Sequence, residues 1–554
     1  MLIKEPGLGA REMQYRLEDQ FTVTLSYNKV WEGRKLALKE LHGTWEDSFK
    51  LLWNWKAAVE ATCPGSLIEI DCKKVKGQMH FSKMFVALRP CVNGFLMGCR
   101  PYLGVDSTHL TGKYLGQLAS ATAIDGHNWM YPVAYAIFDK ETNLNWKWFM
   151  TLLKRAIGTP PGLTIHTDAC KGLAYGVSQV FGDAAEHREC FRHLMANFRR
   201  KYNGEVLKYM WPCAWACTHE RHQVLMDKIS ETCPNAVAYL RYDHPHLWTR
   251  AKFNKICKVD YVNNNISECF NNWIKNVKEL PAVDLMDMLR VMIMEKIATR
   301  QSIANKMQGH ILPSVVNDLH EKSRNLRYTI TKSGYMKGEV SGASRDGVAW
   351  RYGVNLVTQA CSCGQWDVTG KPCTHAIAFI TSQRNLRIED YVGECYSVQR
   401  FKDAYQFEVY PMGDRLQWPK LDPGFEMRPP KLEGRPAGRP RKKRIKSAGE
   451  PGKRGPYQCK RCFQYGHIEK GCKNPVVEPH EDLPDNHLQR KTKKGTKKRK
   501  KSEPEQTSTS LVQISPSSSG PMTRRRVAMS PTCSSPSASK QGEAPASSKR
   551  RLII

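Results

Sequence analysis

The sequence has no run of about 18 consecutive apolar residues, the length that a membrane-spanning helix requires. It has no internal repeat of about 20–50 residues, the period of repeat architectures. Its first residues carry scattered charges and no apolar signal core, so a secreted or membrane-anchored protein is not expected. Acidic residues are scarce: 53 Asp and Glu stand against 85 Lys and Arg, which gives a net charge of +32. Such a charge favours a polyanionic partner, above all nucleic acid.

The chain of 554 residues is long enough for two to four domains, because a single hydrophobic core rarely extends over more than about 250–300 residues. A hydrophobic fraction of 41% excludes wholesale disorder among the 554 residues. The charge is uneven, since residues 427–554 contain 31 basic and 10 acidic residues. We therefore expect a disordered basic tail. The 19 cysteines indicate metal binding or reduced thiols rather than disulfides.

The first 90 residues or so favour helices. From about Arg100 the runs PYLGVDSTHL, GQLASATAI and WMYPVAYAIF are short and β-rich, with Asp125-Gly126 as a turn signal. A helical pattern and the strand LTIHTDA follow, and residues from about 195 to 260 carry no strand pattern. This order predicts an α/β fold, a sheet covered by helices with a helical insertion.

Three acids lie at predicted element ends: Asp106 and Asp168 end strands, and Glu268 begins a helix. Carboxylates that converge from such positions can hold two divalent ions, and oxygen ligands suit Mg²⁺ or Mn²⁺. The alternative is structural, because an Asp at a strand end is often a turn residue and Glu268 stands three positions after Asn265, where a capping box places it. Spacing alone leaves both readings open.

A compact segment, CSCGQWDVTGKPCTHAIAF, carries three cysteines and one histidine. Three thiolates and an imidazole supply the four ligands of a tetrahedral structural Zn²⁺ site. Gly364 and Gly370 allow the chain to turn back between the ligand pairs. The predicted ligands are Cys361, Cys363, Cys373 and His375.

A second cluster, YQCKRCFQYGHIEKGCKNP, predicts another zinc site of three cysteines and one histidine. Phe463 and Tyr465 stand among cations, as a stacking surface for unpaired bases requires. A protein-binding knuckle is the alternative. The predicted ligands are Cys459, Cys462, His467 and Cys472.

Two basic segments are less specific. Arg435, Arg439 and Arg441 lie on Gly-Pro punctuated chain that could enter an AT-rich minor groove, act as a nuclear import signal or form a solvated linker. Lys491 to Lys501 reads as a phosphate-binding tail or an import signal.

His187, Cys190 and His193 are clustered in HRECFRHLMANF. A helix with polar residues is one reading of this segment, and a local metal or active-site role is the other.

Taken together, these motifs resemble the transposases of Mutator-like elements, a plant-rich family. The resemblance is carried by GVDSTHLTGKYLGQLASATAIDGHNWMYPVAYAIF, NWKWFMTLLKRAI, LTIHTDACKGL, HRECFRHLMANFRRKY and NNNISECFNNWIK. It extends through the CSC…CTH segment, which resembles a SWIM-type zinc finger, to the last cluster, which resembles a CCHC zinc knuckle.

The resemblance implies an RNase H-like mixed sheet whose catalytic acids map onto Asp106, Asp168 and Glu268, with Asp260 as a competitor for the third place. It places the family's Cys-x2-His motif on Cys190 and His193 as active-site support. The implied cofactors are two structural Zn²⁺ ions and a catalytic pair of Mg²⁺ or Mn²⁺.

The implied function is metal-dependent DNA strand cleavage and strand transfer in the nucleus, by a homo-oligomer bound to element ends and target DNA and with no membrane partner. The alternatives are a transposase-derived DNA-binding regulator without catalysis and an RNA-binding knuckle protein with an inert core. The expected organisation is a helical region at 1–90, the transposase domain at 91–300 with its insertion at 195–260, a helical linker at 301–340, the SWIM finger at 341–385, a basic linker at 386–456, the knuckle at 457–475 and the tail at 476–554.

Overall fold

The structure, a computed structural model, describes residues 1, 2, 5, 8–343 and 349–430. Several sequence predictions therefore lie outside the described residues. They are the basic segment with Arg435, Arg439 and Arg441, the predicted knuckle ligands Cys459, Cys462, His467 and Cys472, its aromatic residues Phe463 and Tyr465, and the lysine-rich tail.

The chain begins with helices that pack onto the central core. Thr44 starts the third of them, because its Oγ1 accepts the N–H of Asp47 at 3.1 Å and caps the first turn. Phe49, Leu52 and Trp55 are fully buried in the core. These helices are α1 (Ala10–Phe21), α2 (Tyr27–His42), α3 (Trp45–Lys50) and α4 (Leu52–Thr62), and α5 (Arg89–Gly98) follows further along the chain.

Residues 67–87 correct the expectation of a purely helical region up to residue 90. They form an antiparallel hairpin of β1 (Leu67–Val75) and β2 (Gln78–Ala87). The connecting Lys76 and Gly77 have φ of 50° and 79°, the left-handed pair that a two-residue hairpin turn needs. The alternation of Ile68 and Ile70 with Glu69 and Asp71 at the start of β1 was the available sequence signal.

The central sheet has the order β1-β2-β5-β4-β3-β6-β7, in which β3, β4 and β5 are antiparallel neighbours and β3, β6 and β7 are parallel. This is the RNase H-like mixed sheet predicted from the sequence. Every residue of β4 and β5 is buried, because helices cover both faces of the sheet. The elements are β3 (Tyr102–His109), β4 (Gln117–Ile124), β5 (Met130–Phe138), α6 (Asn143–Ile157), β6 (Thr164–Thr167), α7 (Lys171–Val180) and β7 (Glu186–Glu189).

A helical insertion with its own hydrophobic core separates β7 from the next helix of the main fold. Its two ends meet, since Phe191 N–H donates to Val262 O at 2.8 Å and Asn264 N–H donates to Cys190 Sγ at 3.3 Å. The insertion contains α8 (Phe191–Lys201), α9 (Val206–Trp215), α10 (His219–Thr232) and α11 (Pro234–Tyr242), and α12 (Asn265–Trp273) and α13 (Ala282–Asn305) follow it. Among the described residues no helix combines the length and apolar content that crossing a bilayer demands.

A second, smaller sheet follows α14 (Pro313–Ser323). It corrects the predicted helical linker at 301–340, because two strands begin before residue 340. The strands β8 (Thr329–Lys332), β9 (Lys337–Ala343), β10 (Ala349–Asn355) and β11 (Ala360–Cys361) are antiparallel in the order β11-β10-β9-β8, and α15 (Gln365–Thr369) and α16 (Thr374–Thr381) complete the module.

The segment after the module corrects the prediction of a linker from residue 386. Up to residue 430 it is packed on the central domain through α17 (Val398–Tyr405) and β12 (Met427–Arg428), which pairs with β2. Tyr405 is buried and donates its hydroxyl to Asp125 Oδ2 at 2.7 Å. The apolar residues of α17 recur at the spacing of one helix face, which is a sequence signal for a packed helix. The charged residues between them made this signal easy to miss.

Candidate active site and metal centre

Two of the predicted acids lie at the ends of adjacent strands. The parallel pair β3 and β6 has Gly104 opposite His166, so Asp106 and Asp168 each follow two residues further along. Burial raises the pKa of Asp106 to about 8, and the charge of Asp168 adds to that rise. The two negative charges therefore repel each other, and a bound cation would relieve that repulsion.

Hydrogen bonds orient both aspartates. Asp106 accepts the N–H of Ser107 on Oδ1 at 2.8 Å and the side-chain amide of Asn271 on Oδ2 at 3.0 Å. Asp168 Oδ1 accepts the N–H of Cys170 at 3.1 Å, which is also what a turn aspartate does. Each carboxylate oxygen has more than one lone pair, so these bonds leave acceptor capacity on Asp106 for a further ligand.

The helix that carries Glu268 packs directly on β3. A side chain at Gly104 would collide with Asn264, Ile266 and Ser267, so the missing Cβ is what lets the two elements approach. Asn264 fixes the approach by donating its amide to Val105 O at 3.1 Å. The first turn of α12 is thereby held on β3, the strand that carries Asp106.

Glu268 itself is bound to an arginine of the insertion. Arg192 Nη1 donates to Glu268 Oε2 at 2.8 Å, and Nη2 forms the second bond to Oε1. The two side chains are 43% and 42% exposed. Asp260, the alternative third acid, is paired with Arg250 at 2.7 Å.

A further acid, Glu141, was missed by the sequence reading. It lies between β5 and α6, accepts the hydroxyl of Ser107 at 2.8 Å, and its charge contributes to the raised pKa of Asp106. Its position three residues after a buried strand was the available signal. Asn271 and Arg192 were missed too, because neither residue type is an expected metal ligand.

Cys190 and His193 lie at the start of α8. Cys190 is buried, and burial raises the pKa of its thiol, so it remains a neutral group. Its sulfur accepts the N–H of Asn264, the residue that fixes α12 on β3. Cys190 therefore ties the insertion to the helix of Glu268, whereas His193 N–H donates to the carbonyl of Cys190 at 3.0 Å.

The first predicted zinc set is brought together. The ligand atoms of Cys361, Cys363, Cys373 and His375 all lie within 4.8 Å of one another, and within the described part of the chain this is the one group of three or more Cys, His, Asp or Glu to do so. The three predicted catalytic acids are thus not drawn together to that distance. His375 Nδ1 lies 3.8 Å from Cys361 Sγ and 3.7 Å from Cys373 Sγ. Zinc bonds of about 2.3 Å to sulfur and 2.05 Å to nitrogen give about 3.6 Å for such a tetrahedral edge, so the residues fit the ion.

Neighbouring groups position these ligands. Gly364 and Gly370 have φ of 74° and 72°, which allows the chain reversal between the ligand pairs. Cys373 also caps α16, because its sulfur accepts the N–H of Ala376 at 3.4 Å. The His375 ring packs on Tyr352 with 4.4 Å between ring centroids, which restricts its orientation.

The zinc module is joined to the segment that closes the insertion. Lys258 Nζ donates to the carbonyl of Asp367 at 2.9 Å, and Lys255 pairs with the Asp367 carboxylate at 3.1 Å. A side chain at Gly364 would collide with the backbone of Cys217, which marks a second close approach. The zinc module therefore packs against the helical insertion.

A mixed sheet with paired aspartates, followed by a Cys3His module, defines the class: an α/β protein with a zinc-binding domain. Comparison with protein families agrees with this class. Residues 102–197 match the MULE transposase domain, and residues 347–382 match the SWIM zinc finger. No curated protein matches the chain. The first match contains Asp106, Asp168, Cys190 and His193 and ends before Glu268, and the second contains all four zinc ligands.

Proposed function

We propose that this protein is a Mutator-like DNA transposase that cleaves DNA strands and joins a 3′ hydroxyl to target DNA. The observation that carries the proposal is the pair Asp106 and Asp168, side by side at the ends of β3 and β6 within the segment that matches the MULE transposase domain. Glu268 is the proposed third acid, since its helix packs on the same strand.

Hard oxygen donors are the ligands that Mg²⁺ and Mn²⁺ prefer, and the two aspartates provide them. When bound, the ions supply charge stabilisation for in-line displacement at phosphorus. Asn271 orients Asp106 through its 3.0 Å bond, and the Ser107 N–H fixes the other carboxylate oxygen. The chain thus contributes a preorganised carboxylate pair, and positioning supplies much of the rate in phosphoryl transfer.

The partner in this proposal is DNA, at element ends and target sites, and the net charge of +32 suits it. The SWIM module holds one structural Zn²⁺. The Cys459–Cys472 cluster holds a second and contacts single-stranded nucleic acid. We further propose a nuclear location and a homo-oligomer assembled on DNA.

The test is strand nicking and joining of element-end DNA by the purified full-length protein with Mn²⁺. Asp106→Asn and Asp168→Asn should each reduce the rate at least about a hundredfold, because a lost metal ligand removes several kcal/mol of transition-state stabilisation. Asp183→Asn, an exposed acid in the turn after α7, is the matched control. Both active-site variants should keep most of their DNA affinity. Equal rates in Asp168→Asn and the unchanged protein would refute the assignment.

A second candidate is a DNA-binding regulator derived from a transposase and without catalysis. The observation in its favour is the Arg192–Glu268 pair, which neutralises the third acid. This candidate predicts salt-sensitive DNA binding with no nicking at any divalent-ion concentration, so the same assay separates the two functions.

A further inference from the structure

Arg192 and Glu268 belong to two helices whose starting residues are bonded to each other. Phe191 N–H donates to Val262 O at 2.8 Å, and Cys190 Sγ accepts the N–H of Asn264. The backbone therefore sets where the guanidinium and the carboxylate meet. The pair is a consequence of how the insertion closes rather than of a chance side-chain encounter.

The ion pair contributes little to folding, because both partners are more than 40% exposed and water screens their attraction. The guanidinium nevertheless covers both oxygens of Glu268, the one acid on α12, which stands one turn before Asn271, the residue that binds Asp106. While that contact lasts, both Glu268 oxygens share their lone pairs with the guanidinium, and its positive charge opposes the binding of a cation there.

A phosphate diester can compete for the same guanidinium. Arginine recognises phosphate in the bidentate geometry that it uses for a carboxylate, and its five N–H donors make such exchange possible. α8 also carries Arg199, Arg200 and Lys201 in its last turn, so DNA that approaches this helix meets a basic surface.

We propose that Arg192 holds Glu268 in the DNA-free protein and transfers to a DNA phosphate in the complex, which frees Glu268 for the divalent cation; this rests on the proposed function. Arg192 is thus a positioning residue that couples the two ligands. Because coupling between binding sites is reciprocal, DNA must raise cation affinity by the same factor as the cation raises DNA affinity.

The test measures Mn²⁺ affinity of the full-length protein by electron paramagnetic resonance of the free ion, without DNA and then with a short duplex. Without DNA, Arg192→Gln should bind Mn²⁺ about twofold to fivefold more tightly, the range that an exposed ion pair supports. Arg192→Lys keeps the positive charge but lacks the planar guanidinium that binds both carboxylate oxygens. Its Mn²⁺ affinity should lie between that of Arg192→Gln and that of the unchanged protein. Arg241→Gln removes the same charge from the exposed last turn of α11 and should leave the affinity unchanged. With the duplex, the gain in Mn²⁺ affinity should be smaller for Arg192→Gln than for Arg241→Gln.

A Glu268→Gln background separates release of the carboxylate from simple loss of positive charge. In that background Arg192→Gln should have no effect, and a persisting gain in affinity would overturn the proposal. So would an unchanged affinity in Arg192→Gln alone, provided that Asp106→Asn weakens Mn²⁺ binding. Unaltered Mn²⁺ binding in Asp106→Asn would instead refute the metal site and the proposed function with it.

Discussion

Gly104 gives the most direct test of how the candidate site is assembled. An alanine there would place its Cβ against Asn264 Oδ1, Ile266 Cγ2 and Ser267 Oγ, so α12 has to move away from β3. Overpacking of this kind costs about 1–3 kcal/mol in the free energy of unfolding. The same movement lengthens the Asn271–Asp106 hydrogen bond and shifts Glu268.

The chain offers a matched control in a second strand glycine. Gly353 lies in β10, and a Cβ at that position has no neighbour within 4 Å. Gly353→Ala should therefore stabilise the protein by about 0.4–1 kcal/mol, because alanine restricts the unfolded chain. The two substitutions should move stability in opposite directions.

Urea unfolding measures both variants, and the nicking assay is run at a temperature at which both remain folded. Gly104→Ala should lose activity beyond its loss of stability, since it displaces groups that orient Asp106. If Gly104→Ala is as stable and as active as Gly353→Ala, the close packing of α12 on β3 does not hold the site together.

Three further predictions concern the rest of the fold. Cys373→Ser should remove one zinc equivalent by mass spectrometry and destabilise the small module, whereas Cys395→Ser, outside the ligand set, should keep the metal. Burial lowers the pKa of His222 from 6.5 to about 4, so its contribution to stability is present above pH 6.5 and is lost as the pH falls towards 4. His222→Gln should flatten that part of the stability–pH curve, and an unchanged slope would contradict the assignment. Tyr405→Phe should cost about 1–3 kcal/mol in denaturant titration, because Asp125 Oδ2 loses a buried donor, and a neutral result would show that this hydrogen bond does not stabilise the packing of α17 on the core.

The sheet was predictable because its information is local. Apolar runs with the Asp125-Gly126 turn between them specify three neighbouring strands, and the zinc ligands lie within 15 residues of chain. The partners of the acids are not local: Glu141 and Ser107 are 34 residues apart, and Arg192 and Glu268 are 76 residues apart. The hydrophobic periodicity of a sequence carries no information about such contacts, because they form only when the chain folds.

The β1–β2 hairpin was missed for a different reason. Lys76 adopts a left-handed conformation, which lysine seldom does, so the residue type gave no sign of a turn. The charged second half of β1 does not continue the alternation of apolar and polar residues in its first half. Ile68 and Ile70, which alternate with Glu69 and Asp71, indicated a strand. These four residues are too few to outweigh the helical pattern before them.

Because the insertion closes on itself between Cys190 and Asn264, its length is uncoupled from the geometry of the domain that hosts it. Residues can be gained or lost in the loops between its helices without changing where α12 returns to the sheet. The count of residues from the second aspartate to the third acid is therefore a poor guide to that acid in any chain built this way. The packing of the helix on the strand is a better guide to that acid. The strand of the first aspartate then has a glycine, and the helix that packs on it has small polar residues at the point of contact.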